Sequence, residues 1–327
     1  MTIRIIGAGM AGLLAANMLR SKEVEIYEAS PGLPNNHQAL LRFRSGAVSD
    51  ATGISFKKVN VVKDVYTSHR TKLAAMISYS LKVNGKPSLR SIGTAFDAIA
   101  PQERYIAPPD FINRMAWSLK PINFNHHVNI DDILQWLSNG DQIISTLPMN
   151  ILAMILNDNK SKFYNFKRSI FESRTGTVIK AYFPEDWNVY ATLYFPDAIS
   201  IPYRASINGN ELIIECAEEI DFQDDETRAL VIVQGVASFF GIKTDKLKKE
   251  ITINKQRYAK ILAIDENERK EFIIKATNQW KIYSLGRFAT WRPGLLLDDV
   301  VNDVRVINNI MNGDNSKIYE ERKNAQS

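Results

Sequence analysis

Hydrophobic positions along the chain fall into short blocks whose spacing switches between strand-like alternation and helical periodicity. The first block, "IRII" at residues 3–6, is β-branched and stops at glycine, which predicts a buried strand. An alanine- and leucine-rich segment then predicts a helix over residues 10–20, and "VEIYE" predicts a second strand. Helical spacing returns over residues 70–81 and 110–119. The stretch "INFNHHVNIDDILQWLSNGDQIISTLP" predicts strand, helix and strand, with Pro148 turning the chain into a helix over "MNILAMIL". From about residue 163 to 215 the pattern is strand-rich: "GTVIKAYF", "VYATLYF" and "ELIIECA" are separated by Pro, Asp and Asn-Gly turns. Next come a helix over 225–240 and a strand over 249–254. "WKIYSLGRFATWRPG" reads as strand then loop, and "LLLDDVVNDVRVINNIM" as an amphipathic helix. The tail from Asn312 is polar.

The first two strands and the helix between them enclose Gly7, Gly9 and Gly12 in G-x-G-x-x-G spacing. Gly7 permits a tight turn, Gly9 lets a pyrophosphate approach the backbone, and Gly12 lets helix and strand pack closely. Met10 and Ala11 begin the helix, whose free N–H groups and positive dipole end face the phosphates. Glu28, sixteen residues after Gly12, ends the second strand, where an acid accepts hydrogen bonds from a ribose. The chain therefore opens as a dinucleotide-binding unit. The motif serves NAD and FAD alike; a start at the third residue favours FAD, by association only.

Composition sets outer bounds. With 45% hydrophobic and 24% charged residues, 327 residues can build a large core and two domains. No run approaches the ~20 apolar residues of a membrane span, and with the first strand beginning at once no signal peptide is expected. Cys216 alone excludes an internal disulfide and reads as a small buried residue. A cytoplasmic location is the expectation. The net charge of +5 suits an anionic substrate or nucleic acid, though a solvated basic surface also explains it. "KTDKLKKE" reads as such a surface. His126 and His127 are adjacent and, on a strand, would face opposite ways, so they read as structural and no metal site is expected.

Nucleotide-binding elements at both ends of the chain, with a sheet between, predict an α/β fold. Its discontinuous Rossmann-type FAD-binding domain covers 1–55, 120–160 and 255–327, and its mixed-sheet substrate domain is inserted at 56–119 and 161–254.

Four segments in order resemble the FAD-dependent oxidoreductases of the amine oxidase and UDP-galactopyranose mutase group. They are the opening motif, "VNIDDILQWLSNGDQIISTLP", "YFPDAISIPYRASINGNELIIE" and "YSLGRFATWRPGLLLDD". The resemblance implies that the Val128 backbone lies at the adenine, that Thr146 to Pro148 lie near the cofactor, and that the loop holding Gly286 and Arg287 meets the flavin. It implies the same of the helix start after Gly294, with Leu295 and Leu296. "LLRFRSGAV" resembles a segment of flavin aromatic hydroxylases, which implies Arg44, and less surely Arg42, at the pyrophosphate. Two features depart from these patterns. The Gly-Gly usual after the ribose acid is here "EASPGLPNN", and the hydroxylases' late Gly-Asp is here Gly286-Arg287. There is also no second Rossmann motif for NADPH.

A flavin does its own redox chemistry, so few catalytic side chains are expected. Arg287 could stabilise a reduced, anionic flavin or serve as a phosphate or carbonyl clamp. Tyr203 and Arg204 are substrate-pocket candidates, Arg204 for a carboxylate or phosphate; strand alternation puts them on opposite faces unless a bulge intervenes. Phe288 and Trp291 either wall that pocket or pack in the core. The expected activity is FAD-dependent oxidation of a C–N or adjacent C–H bond in an amine or amino-acid-like substrate. A substrate carried on a modified DNA base is one version. Alternatives are a non-redox mutase-like flavoenzyme and a flavin-binding protein that interacts with nucleic acid.

Overall fold

The computed structural model describes residues 1–33, 41–87, 101–157, 171–184, 186–217, 225–243 and 251–313. Residues 34–36 of the proline- and asparagine-rich loop, residues 163–170 and 249–250, and all but Lys243 of the charge run lie outside them.

Two sheets organise the chain. The first contains β1 (Ile3–Ile6), β2 (Val24–Tyr27), β6 (Gln142–Ser145) and β12 (Ile282–Ser284) in the order β12-β6-β1-β2, every pair parallel. Parallel strands need crossovers and cover on both faces, and both faces here are buried. On one, Ile3 and Ile5 pack with Leu13 and Leu14 of α1 (Met10–Met18) and with Val300 and Val304 of α9 (Leu297–Met311). On the other, Ile6 and Ile143 pack with Ile133 and Trp136 of α5 (Ile130–Ser138), with Met149 and Leu152 of α6 (Met149–Asn157), and with Phe272 and Ala276 of α8 (Glu266–Trp280).

The second sheet has eight strands in the order β11-β7-β10-β9-β8-β4-β5-β3. They are β3 (Arg42–Phe43), β4 (Lys57–Val65), β5 (Gln102–Ile106), β7 (Ser173–Tyr182), β8 (Tyr190–Tyr194), β9 (Pro202–Asn208), β10 (Glu211–Cys216) and β11 (Ile251–Ile261). Among the described residues of this sheet only β4 and β8 pair in parallel. One face is apolar and buried under α7 (Asp225–Phe239), where Ile179, Leu193, Ala205, Ile207 and Ile214 meet Ala229, Val233 and Val236. α3 (Lys72–Asn84) lays Tyr79 and Val83 against Tyr203 and Tyr194. Lys82 of that helix donates to the carbonyls of Phe195, Asp197, Ser200 and Pro202, clamping the loop before β9.

The fold is therefore mixed α/β, with a parallel sheet and a larger mixed one. Two short helices stand beside the first core: α2 (Ala47–Thr52) buries Val48 there, and α4 (Phe111–Trp117) buries Phe111 and Met115. Residues 111–117 lie within the expected inserted segment, and their apolar side chains pack into the first core. β11 likewise carries the large sheet on to Ile261. The strand expected across "INFNHHVNI" is reduced to one bridge, Tyr27 to Asn123, because Asn125 turns at φ 56° and ends the extension. His126 then packs edge-on against Tyr27, and His127 is exposed. No helix among the described residues is long and apolar enough to cross a membrane.

Candidate functional site

The glycine turn has the form its spacing demands. Gly7 sits at φ 100°, and a side chain there would collide with the Thr146 hydroxyl, which donates instead to the Ile6 carbonyl at 2.8 Å. A side chain at Gly12 would strike the Gly7 carbonyl. At Gly9, by contrast, a Cβ would meet nothing within 4 Å. Gly9 is also the N-cap of α1, and neither a side-chain cap nor an acid in the first turn closes that end. The open space therefore lies beside free, positively polarised N–H groups.

Glu28 lies at the edge of this space. Its Oε2 accepts from the Ala8 N–H at 2.8 Å, and its Oε1 from the Ser30 N–H and hydroxyl at 3.0 and 2.8 Å. Its backbone is tied to the segment leading to Val128: the Glu28 N–H donates to the Asn123 carbonyl, and the His126 N–H to the Glu28 carbonyl. Half-buried Val128 packs against the core on that side. Pro148 starts α6, its carbonyl accepting from Ile151 and Leu152. An open cradle, an uncapped helix and an acid beside the turn fit the pyrophosphate and ribose of a dinucleotide.

The late loop reaches the same place. Gly286, at φ 90°, sits so close to α1 that a Cβ on it would lie 2.8 Å from the Ala11 methyl. The Met149 N–H donates to the Phe288 carbonyl, tying the loop to α6 as well. Arg287, next to Gly286, is half-buried with its guanidinium 5.1 Å from the Phe288 ring centre, and burial lowers its pKa against the opposing influence of Tyr203. Trp291, at φ 45°, donates its indole N–H to the Leu262 carbonyl and packs edge-on against Phe171. It belongs to the core and not to a pocket wall. Gly294 has open space around it, Leu295 is buried in the first core, and Leu296 is the exposed N-cap of α9. That helix start is not bare: Asp299 accepts from the Leu296 N–H, and Asp298 from the Arg44 and Ser45 N–H groups and the Ser45 hydroxyl.

Arg44 thus stands at the α9 terminus with its side chain exposed. Arg42 is placed otherwise than the resemblance implies. Its guanidinium donates to the Thr192 hydroxyl at 2.9 Å, to the Ala191 and Ile207 carbonyls and to the Asn208 amide oxygen. These groups hold it against the large sheet, away from the glycine turn.

Tyr203 and Arg204 both reach Glu215. The Tyr203 hydroxyl donates to Glu215 Oε1 at 2.9 Å, and Arg204 donates through Nη2 at 2.7 Å and through Nε. Strand alternation forbids this, but the pairing of β9 with β10 slips there: Arg204 opposes Glu215, Pro202 opposes Cys216, and Tyr203 is the extra residue of a bulge. The sequence offers Arg204 to a substrate carboxylate or phosphate, but in the structure Glu215 occupies its fork. Burial alone would raise the Glu215 pKa, but the Arg204 charge holds it below its ordinary value, while burial and Glu215 push Tyr203 well above its own.

Sequence reasoning missed Lys260 and Glu215. Lys260 Nζ is 5.2 Å from the Tyr203 ring centre. Burial, reinforced by Arg204 and opposed by Glu215, lowers its pKa to about 8. Glu215 had a visible signal, an acid inside the apolar run "ELIIECA". Lys260 had none. Cys216 is buried, and burial pushes its thiol up to about 12, so it is an inert packing residue.

No protein-family profile matches the chain, and no curated protein sequence is significantly similar to it. Solved structures share the fold. A CLA-producing fatty acid isomerase from P. acnes superposes with a TM-score of 0.57 at 12% identity, over 94% of this chain and 98% of its own. A protein from Pyrococcus furiosus gives 0.53 at 11% identity, over 93% and 96%. A candidate FAD-containing monooxygenase from Photorhabdus luminescens gives 0.48 at 10% identity over 99% and 93%, a likeness too loose to carry weight. At these identities the likeness is one of fold.

Proposed function

We propose that the chain is an FAD-dependent enzyme that oxidises a C–N or adjacent C–H bond of an amine or amino-acid-like substrate. One observation carries this reading. The Gly286 loop docks on Ala11 at the glycine turn, and the next residue, Arg287, carries a half-buried charge that Tyr203 of the large sheet influences. Gly9, the α1 N-terminus, Glu28 and Thr146 would hold the dinucleotide. FAD, when bound, supplies a two-electron acceptor. The protein's own groups supply charge and protons. Arg287 makes no ion pair with a carboxylate among the described residues and offers positive charge beside the loop. Lys260, with its pKa near 8, can hold or release a proton at Nζ close to neutral pH. Tyr203, Arg204 and Glu215 form a rigid positioning unit behind them.

The test is reconstitution with FAD followed by anaerobic absorbance measurements against amines, amino acids, sugar nucleotides and unsaturated fatty acids. Bleaching by an amine or amino acid is the expected result. Protein that takes up NAD but no FAD overturns the cofactor; bleaching by dithionite alone, with turnover of a sugar nucleotide or fatty acid, replaces oxidation by a non-redox reaction.

A further inference from the structure

The large sheet sorts its charges by face. Register places Lys63 of β4 beside Thr192 of β8, Thr192 beside Ser206 of β9, and Arg204 two residues along on that same face. Across β4 and β5, Val61 faces Gln102 and Val59 faces Arg104, so Gln102 and Arg104 join them. The neighbouring acids alternate to the other side, where Glu103 pairs with Lys58 at 2.6 Å.

The cations on the first face share few acceptors. Gln102 Oε1 accepts from both Lys63 Nζ, at 2.8 Å, and Arg104 Nη2, at 2.5 Å. Two cations thus converge on one neutral oxygen. Arg42 reaches over Thr192 and donates only to a hydroxyl, an amide and carbonyls. Among the described residues Glu215 is the carboxylate on this face that meets a cation of the cluster, and Arg204 already holds it. Arg42, Lys63 and Arg104 are all half-buried. Burial with mutual repulsion lowers Arg42 to about 9 and Lys63 to about 8. Like charges gathered out of water without an anion are unfavourable.

We propose that Arg42, Lys63 and Arg104 form a binding site for a phosphate or diphosphate group of the substrate. A single carboxylate would neutralise only one of the three. A phosphate carries more than one charge and several acceptor oxygens; Lys63 and Arg104, which share one neutral oxygen, would donate to it, and Arg42, whose donors are held by the sheet, would add its charge. The phosphate can belong to a small molecule or to a nucleic acid. The group's role as a substrate anchor rests on the flavoenzyme reading; anion binding itself does not.

The experiment is calorimetric titration of the FAD-loaded protein with inorganic pyrophosphate, and separately with a short DNA duplex. Saturable pyrophosphate binding is expected, with flavin absorbance retained. Lys63→Gln and Arg104→Gln should each weaken it at least about tenfold, the scale of one lost charge-assisted hydrogen bond. Flavin content and unfolding midpoint should be unchanged, and Lys63→Arg should restore binding. Duplex binding that competes with pyrophosphate assigns the phosphate to nucleic acid; pyrophosphate binding alone assigns it to a small molecule. The site is overturned if neither probe binds, if both glutamine variants bind normally, or if pyrophosphate acts only by displacing FAD from the glycine turn. A protein that takes up no FAD yet binds pyrophosphate through Lys63 and Arg104 removes the flavoenzyme reading and leaves this site standing.

Discussion

Tyr203 and Arg204, neighbours along β9, meet on a single carboxylate, that of Glu215. Glu215 and Tyr203 are buried and Arg204 is half-buried, so the carboxylate finds its partners out of water. Removing one member of such a buried set leaves an uncompensated charge or donor. Glu215→Gln should therefore destabilise the protein by ~3–5 kcal/mol, measured by urea unfolding. Arg204→Met/Glu215→Met together should cost less than Glu215→Gln alone, because no lone charge remains. Equal or additive losses would show that the carboxylate does not hold the pair.

The glycine turn gives a second prediction, in which two similar substitutions behave oppositely. Gly12→Ala drives a methyl into the Gly7 carbonyl and should destabilise the fold by about 1–3 kcal/mol or more. Gly9→Ala adds its methyl to open space, at φ −71° and ψ 175° that alanine adopts freely. Its folding cost should stay within about 1 kcal/mol, while FAD affinity falls because the methyl stands where the pyrophosphate approaches. Titration of both apo-proteins with FAD beside thermal unfolding checks this. A Gly9→Ala variant that binds FAD normally would remove the cradle.

Glu28 gives the third. In the structure its two oxygens accept from Ala8 and Ser30, and a ribose would compete for or extend that set. Glu28→Ala should weaken FAD by ~1–3 kcal/mol, the cost of leaving donors without an acceptor. Glu28→Gln, which keeps one acceptor oxygen, should lose less. Riboflavin lacks the adenosine ribose, so its binding should be indifferent to both changes.

The parallel sheet and its glycine turn are legible because their signals are local. Glycine spacing, strand alternation and a terminal acid lie within 28 residues, and each has a mechanical reason. The large sheet was half legible. β7 to β10 show apolar blocks, but β4 ("KKVNVVKDV") and β5 ("QERYI") are mostly charged or polar. In β4 only Val59 and Val61 are buried, packed with Tyr190, and the rest of both strands is half-buried or exposed, so the apolar signal is too short to mark them. α8 was missed for a related reason: of its fifteen residues only Phe272 and Ala276 are buried. Arg42 was misplaced because a two-residue strand gives no sign of which neighbour its long side chain reaches. Lys260 enters the site only through the pairing of β11 with β7, a contact between residues far apart in sequence.

Lys260 also gives the pH prediction. Its ordinary pKa of 10.5 is lowered to about 8 in the folded protein, chiefly by burial, with Arg204 and Arg287 repelling its charge and Glu215 attracting it. Between pH 8 and 10.5 the unfolded chain therefore holds a proton here that the folded protein has released. Stability rises with pH wherever the unfolded state binds more protons, so this lysine adds stability progressively as pH climbs from about 8. Tyr79 and Tyr203 act in the opposite sense. Burial raises both well above 10, so the folded state keeps protons that the unfolded chain loses, and their contribution fades above pH 10. The usable window is thus pH 8 to 10. Lys260→Met removes the lysine term and leaves the tyrosine hydroxyls in place. The variant should be the more stable protein below pH 8, and its advantage over the parent should shrink steadily toward pH 10, as read by urea unfolding in parallel buffers. Profiles that stay a constant distance apart would mean that Lys260 titrates alike in both states and is solvated, and its assignment as the proton-holding group of the site would fall with that result.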